Sequence, residues 1–376
     1  MIPLFKVYMD QSVAAELTNV LYSGYIGQGE EVEKFEETVK SYLGNEYVVT
    51  VNNGTAGLHL AVHMLKTKFG WNDDTEVLAT PLTCTATNWP IVANRLRIKW
   101  VDVDPKSLNM DLDDLQRKIT ANTKLILPVH WGGKPIDLDQ LGYIKEKTQN
   151  LYGFEPQIIE DCAHSLGATY KGRPVGNRKS TICMFSLQAI KQVTSVDGGI
   201  VTFTNHEDYS RARLLRWYGI DRDQPSQNLR CGLDIPEWGF KFHMNDVNAV
   251  IGNENFKMLD NLVFIHQNNA RFYDENLKGV EGLTQFEPYD DENESAFWFY
   301  SIHVERRSDF IRKMKENGIM VSQVHTRNDK HSCMKEFRCH LPNMDSVENT
   351  YISIPCGWWV TKEDRQRIVD KIKEGW

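Results

Sequence analysis

Lys191 is the residue whose surroundings most clearly favour chemistry. It follows an apolar run at 181–185 that is typical of a buried strand, and no charged residue lies within five positions on either side. Lysines are rarely buried without a partner or a task, because the ammonium group loses its hydration. Desolvation lowers the pKa of a lysine, and the neutral amine is a nucleophile that can form a Schiff base. The alternative is a lysine whose flexible stem carries its charge from a loop into solvent.

A candidate phosphate site lies at Asn53-Gly54-Thr55-Ala56, where a short predicted strand at 47–51 runs into a helix. Backbone N–H groups at a helix N-terminus, together with a threonine hydroxyl, can bind phosphate. A strand–turn–helix junction also needs glycine and a capping residue for structural reasons alone. The segment by itself leaves both interpretations open.

Asp161 and His164 follow another predicted strand, at 157–159. A carboxylate at the end of a buried strand needs a cation or a hydrogen-bond donor, and an ionised Asp161 could hold a proton on a ring nitrogen. Capping of the next turn would explain Asp161 as well, and a lone histidine such as His164 is more often structural. Ser186 or Ser195 could join a triad, but the chain lacks the G-x-S-x-G nucleophile elbow, so serine hydrolysis is poorly supported.

Composition and charge exclude several classes of protein. The 376 residues are 41% hydrophobic and 25% charged, as in soluble globular proteins. A net charge of -8 without a basic run argues against a nucleic-acid-binding surface. The seven cysteines are scattered and form no CxxC pair, so we expect reduced thiols in a cytosolic protein and no metal site. We also expect no signal peptide and no membrane span, because no apolar stretch is long enough.

Strands and helices alternate along the first part of the chain. This order predicts an α/β fold, a three-layer α/β/α domain in which helices cover both faces of a mostly parallel sheet. Ligands of such sheets bind beyond the carboxyl ends of the strands. The candidate residues at 53–56, 83–86, 161–164 and 186–191 all follow predicted strands.

The pattern changes after about residue 258. We therefore predict a large domain at 1–258 and a smaller α+β C-terminal domain at 259–376. Strands are predicted at 297–304 and 321–324. Ser308 and Thr361 are predicted to cap helices.

Taken together and in order, these segments resemble the aspartate-aminotransferase superfamily, the fold-type-I pyridoxal-phosphate enzymes. More narrowly, the chain resembles the DegT/DnrJ/EryC1/StrS sugar aminotransferase family, which makes amino-deoxysugars on nucleotide carriers. The resemblance covers nearly the whole chain. It rests on the segments 24–33, Asn53-Gly54-Thr55-Ala56, Pro81-Leu82-Thr83, Val101-Asp102-Val103-Asp104, His130-Trp131-Gly132-Gly133, Glu160-Asp161-Cys162-Ala163-His164, 186–199, 240–246 and 318–325.

The resemblance implies that pyridoxal 5′-phosphate is the cofactor and that Lys191 carries it as a Schiff base. Asp161 would pair with the ring nitrogen, His164 (at a position often occupied by glutamine) would contact the phenolic oxygen, and Ala163 would pack on one ring face. Lys241 stands where such enzymes often place a residue that reaches the partner subunit's phosphate, which implies a homodimer with shared active sites. The residues implied to bind the phosphate are Gly54, Thr55, Ala56 and Ser186.

Two departures from the family pattern stand out. Cys84 occupies a position where an aromatic residue usually stacks on the cofactor ring, so it is open what covers that face. Val196-Asp197 replaces a more frequent Gly-Glu, which is conservative for a turn. A branch of the family has histidine in place of Lys191 and dehydrates sugars, so the lysine favours transamination.

The resemblance implies an aminotransferase that converts a nucleotide-linked keto-deoxysugar to an amino-deoxysugar, with glutamate as the expected donor. The alternatives are a pyridoxal-phosphate sugar dehydratase, an aminotransferase for a non-nucleotide ketone such as a cyclitol, and a non-catalytic binding protein that keeps the fold. The candidates for substrate contacts are Tyr25, Arg222, Arg230, His325 and Arg327. Each charged residue among them, taken singly, could instead be an ordinary solvated charge on the surface.

Overall fold

A computed structural model describes residues 1–178, 180–223, 234–287 and 293–376. Its strands are β1 (Val48–Val51), β2 (Glu76–Ala79), β3 (Arg97–Trp100), β4 (Thr123–Leu127), β5 (Gln157–Asp161), β6 (Thr169–Tyr170), β7 (Arg173–Pro174), β8 (Ile182–Ser186), β9 (Gly199–Thr202), β10 (Leu283–Gln285), β11 (Tyr300–Val304) and β12 (Tyr351–Ile354). Its α-helices are α1 (Val13–Tyr22), α2 (Glu30–Leu43), α3 (Gly54–Phe69), α4 (Thr85–Ala93), α5 (Leu112–Lys118), α6 (Leu138–Tyr152), α7 (His206–Leu215), α8 (Asp246–Phe256), α9 (Leu259–Asn276), α10 (Arg307–Glu316), α11 (Pro342–Val347) and α12 (Lys362–Lys373).

A seven-stranded sheet in the order β1-β9-β8-β5-β4-β2-β3 forms the centre of the fold. Five neighbouring strands run parallel to one another, namely β8, β5, β4, β2 and β3. Strand β9 runs antiparallel to both of its neighbours, β1 and β8. The inner strands are apolar because both faces of the sheet are covered, as parallel sheets require. The predicted α/β class with a mostly parallel sheet is confirmed.

The helix ends follow from side chains that can satisfy free backbone groups. Asn53 Oδ1 accepts a hydrogen bond from Ala56 N and thereby starts α3. Thr361 and Asp364 form a reciprocal capping box at α12, which confirms Thr361 as a helix cap. Gly70 ends α3 with φ 62, a left-handed conformation that glycine adopts without strain. Among the described residues, no helix combines the length and apolar character that crossing a membrane requires.

The C-terminal part contains the antiparallel sheet β10-β11-β12. Its core, built around Ile302, Ile352 and Ile368, is a separate apolar cluster. However, Trp298 and Met344 pack in the cluster that also holds residues of the large sheet. The division between 1–258 and 259–376 therefore stays a prediction.

Two predicted features of this part are wrong. Residues 321–324 form no strand, because Val324 has a left-handed φ of 64 and Ser322 makes only an isolated bridge to β12. Ser308 does not cap α10 but lies inside its first turn. The position before the helix is taken by Arg306, at φ 46, where the chain turns sharply out of β11.

Candidate active site

The carboxyl ends of β2, β5 and β8 and the start of α3 border one cavity of ≈ 550 Å³. The position agrees with the rule that ligands bind at this edge of an open α/β sheet. The residues singled out from the sequence that line it are Gly54, Thr55, Cys84, Asp161, Ala163, His164, Ser186, Lys191 and His325.

One end of the cavity is the N-terminus of α3. A Cβ atom added to Gly54 would lie 2.9 Å from Met184 Sδ, and one added to Gly199 would lie 2.9 Å from Gly54 N, so the backbone packs very closely here. Thr55 is exposed at this end. Ala56 does not match the phosphate-binding role that the resemblance implies. Its N–H already donates to the Asn53 side chain, and it does not line the cavity. The positive end of the α3 dipole and the Thr55 hydroxyl suit an anionic group.

Asp161 lies at the buried end of β5 and is only 3% exposed. Its Oδ1 accepts a hydrogen bond from Ala163 N at 3.0 Å, and its Oδ2 accepts one from Thr87 Oγ1 at 2.6 Å. Burial raises the pKa of Asp161, while these hydrogen bonds and the charge of Lys191 oppose the rise. The carboxylate thus both caps the turn that follows and lines the cavity.

Lys191 lies in a tight turn in which its N–H donates to Gln188 O at 2.9 Å. Its Nζ lies 3.2 Å from the centroid of the Trp298 ring. Burial lowers the pKa of Lys191 to about 7, against the opposing charge of Asp161. A far larger share of the amine is therefore neutral near pH 7 than in an ordinary lysine, which is almost wholly charged.

His164 and His325 form a stacked pair at the cavity, with ring centroids 5.5 Å apart and an interplanar angle of 12°. Burial and the charge of Lys191 lower the pKa of both rings, that of His325 to about 3, so both are neutral near pH 7. In the described part of the chain, His164 Nδ1 and His325 Nε2 have no hydrogen-bond partner. A ligand that brings polar groups to these two nitrogens would satisfy them.

Trp298 is a cavity residue that the sequence did not single out. It falls in the predicted strand 297–304, but β11 begins later because Phe297 takes a left-handed φ of 42. The indole N–H of Trp298 donates to Ile190 O at 2.7 Å, and its backbone N–H donates to Gly132 O at 2.9 Å. An aromatic residue within an apolar run carried no signal that distinguished it from a core residue.

Cys84 and Ala163 are half-buried in the cavity wall, and Ser186 is half-buried where β8 ends. Cys84 immediately precedes α4 and makes no side-chain cap to it. Thr83 and Thr87, on either side of Cys84, are buried; Thr83 belongs to the candidate stretch 83–86, whereas Thr87 was not identified from the sequence. They join Asp161 in one chain of hydrogen bonds.

Tyr25 and Arg222 border a different cavity, of ≈ 920 Å³, between α1, the 24–29 loop, the start of α2 and Trp217. The Arg222 guanidinium lies 4.4 Å from the Trp217 ring and donates to Gln28 O. Lys241 is exposed and does not line the Lys191 cavity. Arg230 lies outside the described residues.

Arg327 requires a correction, because the structure does not present it as a cation for a substrate. It is 4% exposed, and its guanidinium donates to Asp329, Asp345 and Glu348. Three carboxylates compensate the buried charge, as buried charges require. Arg327 therefore holds together the segment that follows His325.

His130, Glu160 and Cys162 form a buried group with metal-ligand atoms close together. However, His130 Nδ1 accepts from Ile136 N at 3.1 Å, so its Nε2 donates to Glu160 Oε2 at 3.0 Å. Both imidazole nitrogens are thus engaged in hydrogen bonds, which explains the group as a buried polar network.

The family model described as the DegT/DnrJ/EryC1/StrS aminotransferase family matches residues 7–373. The solved structure of sugar aminotransferase CalS13 from Micromonospora echinospora has a TM-score of 0.95 and 44% identity, with coverage of 100% of both chains. AtS13 from Actinomadura melliaura has a TM-score of 0.96 and 46% identity, with coverage of 100% of this chain and 99% of that chain. The UDP-4-amino-4-deoxy-L-arabinose–oxoglutarate aminotransferase of Shewanella sediminis is 29% identical over 390 residues, which are 99% of this chain and 97% of the relative.

Proposed function

The chain belongs to the DegT/DnrJ/EryC1/StrS aminotransferase family, and on that basis we propose that it converts a nucleotide-linked keto-deoxysugar to an amino-deoxysugar with glutamate as donor. Enzymes of this family are pyridoxal-phosphate-dependent aminotransferases, and the similar solved structures include sugar aminotransferases. The observation that carries the proposal is a half-buried lysine of lowered pKa that shares one cavity with a buried carboxylate and a helix N-terminus.

The cavity suits pyridoxal phosphate by its chemistry. Lys191 would hold the aldehyde carbon and Asp161 the ring nitrogen, while His164 Nδ1, which lacks a partner in the described residues, would meet the phenolic oxygen. Ala163 and Cys84 would flank the ring. The phosphate would lie at the α3 N-terminus against Gly54, Thr55 and Ser186, with Ala56 contributing only through the helix dipole.

When bound, the cofactor supplies an electron-accepting ring that allows a proton to leave the carbon bearing the amino group. Lys191 would take up that proton and return it to the C4′ carbon of the cofactor, and a pKa of about 7 suits an amine to both steps near neutral pH. Asp161, once ionised, would keep the ring nitrogen protonated. Trp298 and the neutral His164–His325 pair would exclude water from the reacting carbon.

We propose a homodimer in which Lys241 reaches the phosphate in the partner's active site. Support comes from its position, because Lys241 is exposed and lies outside the cavity formed by its own chain. Tyr25 and Arg222, in the neighbouring cavity of ≈ 920 Å³, are proposed substrate contacts together with His325. The Shewanella sediminis relative is named for a UDP-linked amino sugar, which supports a nucleotide-linked substrate here.

The proposal is tested by two half-reactions on the purified protein. We expect a yellow protein whose visible band is bleached by glutamate and restored by one member of a panel of nucleotide-linked keto-sugars. Bleaching by glutamate without restoration by any nucleotide sugar, but with restoration by a cyclitol ketone, would favour the cyclitol alternative. A band that glutamate leaves unchanged would contradict transamination from this donor, and a colourless protein that binds no pyridoxal phosphate would point to a binding protein.

In the apoenzyme we expect one lysine to react with trinitrobenzenesulfonate much faster than the rest at pH 7. The reagent attacks neutral amines, so its rate with Lys191 should rise with a midpoint near pH 7, because burial lowers the pKa of that residue to about 7. Exposed lysines should titrate near their ordinary value of about 10.4. The control is Lys191→Arg, which should lose the fast phase; a fast phase that survives in this variant would assign the reactive amine elsewhere.

A further inference from the structure

A chain of buried hydroxyl groups leads to the carboxylate of Asp161. Thr87 Oγ1 donates to Asp161 Oδ2 at 2.6 Å, and Thr83 Oγ1 lies 2.7 Å from Thr87 Oγ1. Thr83 and Thr87 are 2% and 1% exposed, and Asp161 is 3% exposed. These side chains therefore present little surface to solvent, so the loss of one bond leaves a poorly solvated polar group.

The direction of this chain follows from counting hydrogens. A hydroxyl group carries one hydrogen, so Thr87 cannot donate to Asp161 and to Thr83 at once. When Thr87 donates to the carboxylate, Thr83 must donate to Thr87. Hydrogen bonds in such a chain strengthen one another, because each donor becomes more polarised. The ordered chain favours the ionised form of Asp161, to which both hydroxyls ultimately point.

The backbone that carries the hydroxyls is held from the C-terminal part of the chain. Asn328 Nδ2 donates to Thr83 O at 2.8 Å, and Asn88 Nδ2 donates to Asn328 Oδ1 at 3.1 Å. The N–H of Asn328 donates to Pro81 O at 2.7 Å. Asn328 and Asn88 are fully buried, so the segment from Pro81 to Asn88 has little freedom to move the hydroxyls away.

We propose that Thr87, oriented by Thr83, is a positioning residue that keeps Asp161 ionised beneath the ring nitrogen of pyridoxal phosphate. The inference rests on the role proposed above for Asp161. Other groups near this carboxylate are Lys191, whose positive charge favours ionisation, the neutral His130 ring, and Cys162, which lies close in the same buried region. None of them donates a hydrogen bond to Oδ2 among the described contacts, so Thr87 is the donor on that side.

The test compares side chains of equal shape by measuring the dissociation constant of pyridoxal phosphate from each enzyme. Thr87→Val removes the hydroxyl but keeps the volume, and we expect affinity to fall by about 10- to 100-fold, as for a lost hydrogen bond to a charged group. The loss of affinity on acidification should also begin about one pH unit or more higher, because the carboxylate loses a bond that favours its ionised form. Thr87→Ser keeps the hydroxyl and should restore both properties.

A double-mutant cycle separates this role from simple packing. Thr83→Val should lower the affinity for the cofactor less than Thr87→Val does. The double variant should have the same affinity as Thr87→Val alone, because Thr83 acts through Thr87. Additive losses, or a Thr87→Val enzyme with unchanged affinity and pH profile, would overturn the proposal. If the Thr87→Val protein does not fold, the test rests on Thr83→Val. An unchanged pH dependence of cofactor affinity in that variant would then overturn the proposal.

The variant Asp161→Asn distinguishes the proposed role of Asp161 from the proposed role of Thr87. If Asp161→Asn lowers the affinity for the cofactor but Thr87→Val does not, only the present inference fails. If Asp161→Asn leaves cofactor affinity and the visible spectrum unchanged, the proposed role of Asp161 fails and this inference fails with it. The expected result is a loss of affinity in Asp161→Asn at least as large as in Thr87→Val.

Discussion

Lys191→Ala is expected to abolish the absorbance of the Schiff base between the cofactor and the protein and to reduce turnover by at least about 10³-fold, since it removes both a nucleophile and a proton carrier. Lys191 is the cavity amine whose pKa burial lowers to about 7. Pyridoxal phosphate should still bind, through the α3 N-terminus and Asp161, because those contacts do not involve the amine. The measurements are the absorbance spectrum after gel filtration and the steady-state rate with glutamate.

The matched control for this variant is Lys171→Ala on the β6–β7 hairpin, where the same chemical change removes a lysine whose side chain is 56% exposed. It should leave the spectrum and the rate unchanged. A Lys191→Ala enzyme with the activity of the parent would contradict the proposed aminotransferase mechanism. A Lys191→Ala protein with the parent's circular dichroism excludes misfolding as the reason for lost activity.

Glu36→Ala is expected to destabilise the protein by about 3–5 kcal/mol, which is the effect of leaving one partner of a buried ion pair alone. Glu36 Oε1 accepts hydrogen bonds from Arg216 and from both the backbone N–H and the hydroxyl of Thr50. Glu36 is 4% exposed and Arg216 is 1% exposed, so water cannot solvate the guanidinium that remains. The contact ties α2 to β1 and to the end of α7. The measurement is the urea dependence of tryptophan fluorescence in the apoenzyme.

The control for Glu36→Ala is the next glutamate of α2. Glu37 pairs with Lys40 at 2.6 Å but is 71% exposed, so Glu37→Ala should cost at most about 0.5 kcal/mol. Equal effects of the two substitutions would contradict the assignment of Glu36 and Arg216 as a buried pair.

The pH dependence of stability provides a second check on Glu36. Burial raises the pKa of this carboxyl, but Arg216 and the Thr50 hydrogen bonds lower it further, so the net shift is downward. A lowered folded-state pKa means that the contribution is complete above the unfolded value of about 4.3 and is lost as pH falls through the folded value. The stability difference between the parent and Glu36→Ala should therefore shrink on acidification below about pH 4.

The class of fold could be predicted because burial leaves a periodic trace in the sequence. The apolar runs that became β2, β4 and β5 are bounded by turns and separated by helical spacing, which is typical of a parallel sheet. The strand predictions were wrong where one residue adopts a backbone conformation that its residue type does not predict. Val324 at φ 64 lies in the predicted strand 321–324, which does not form, and Phe297 at φ 42 lies at the start of the predicted strand 297–304, which begins only at Tyr300; both are residue types for which a left-handed conformation is uncommon.

Lys191 itself, its isolation from other charges, and its place after a predicted strand were determined by the sequence, as were Asp161 and Gly54 at comparable strand ends. Only the tertiary structure decided that these residues share one cavity and that Trp298 lies against the lysine amine. It also decided that His325 faces that cavity while Arg327 is held by carboxylates. The physical reason is that a lowered pKa, a buried hydrogen bond and a ring contact depend on what surrounds a side chain. Those surroundings come from segments far apart in the chain, which local spacing does not encode.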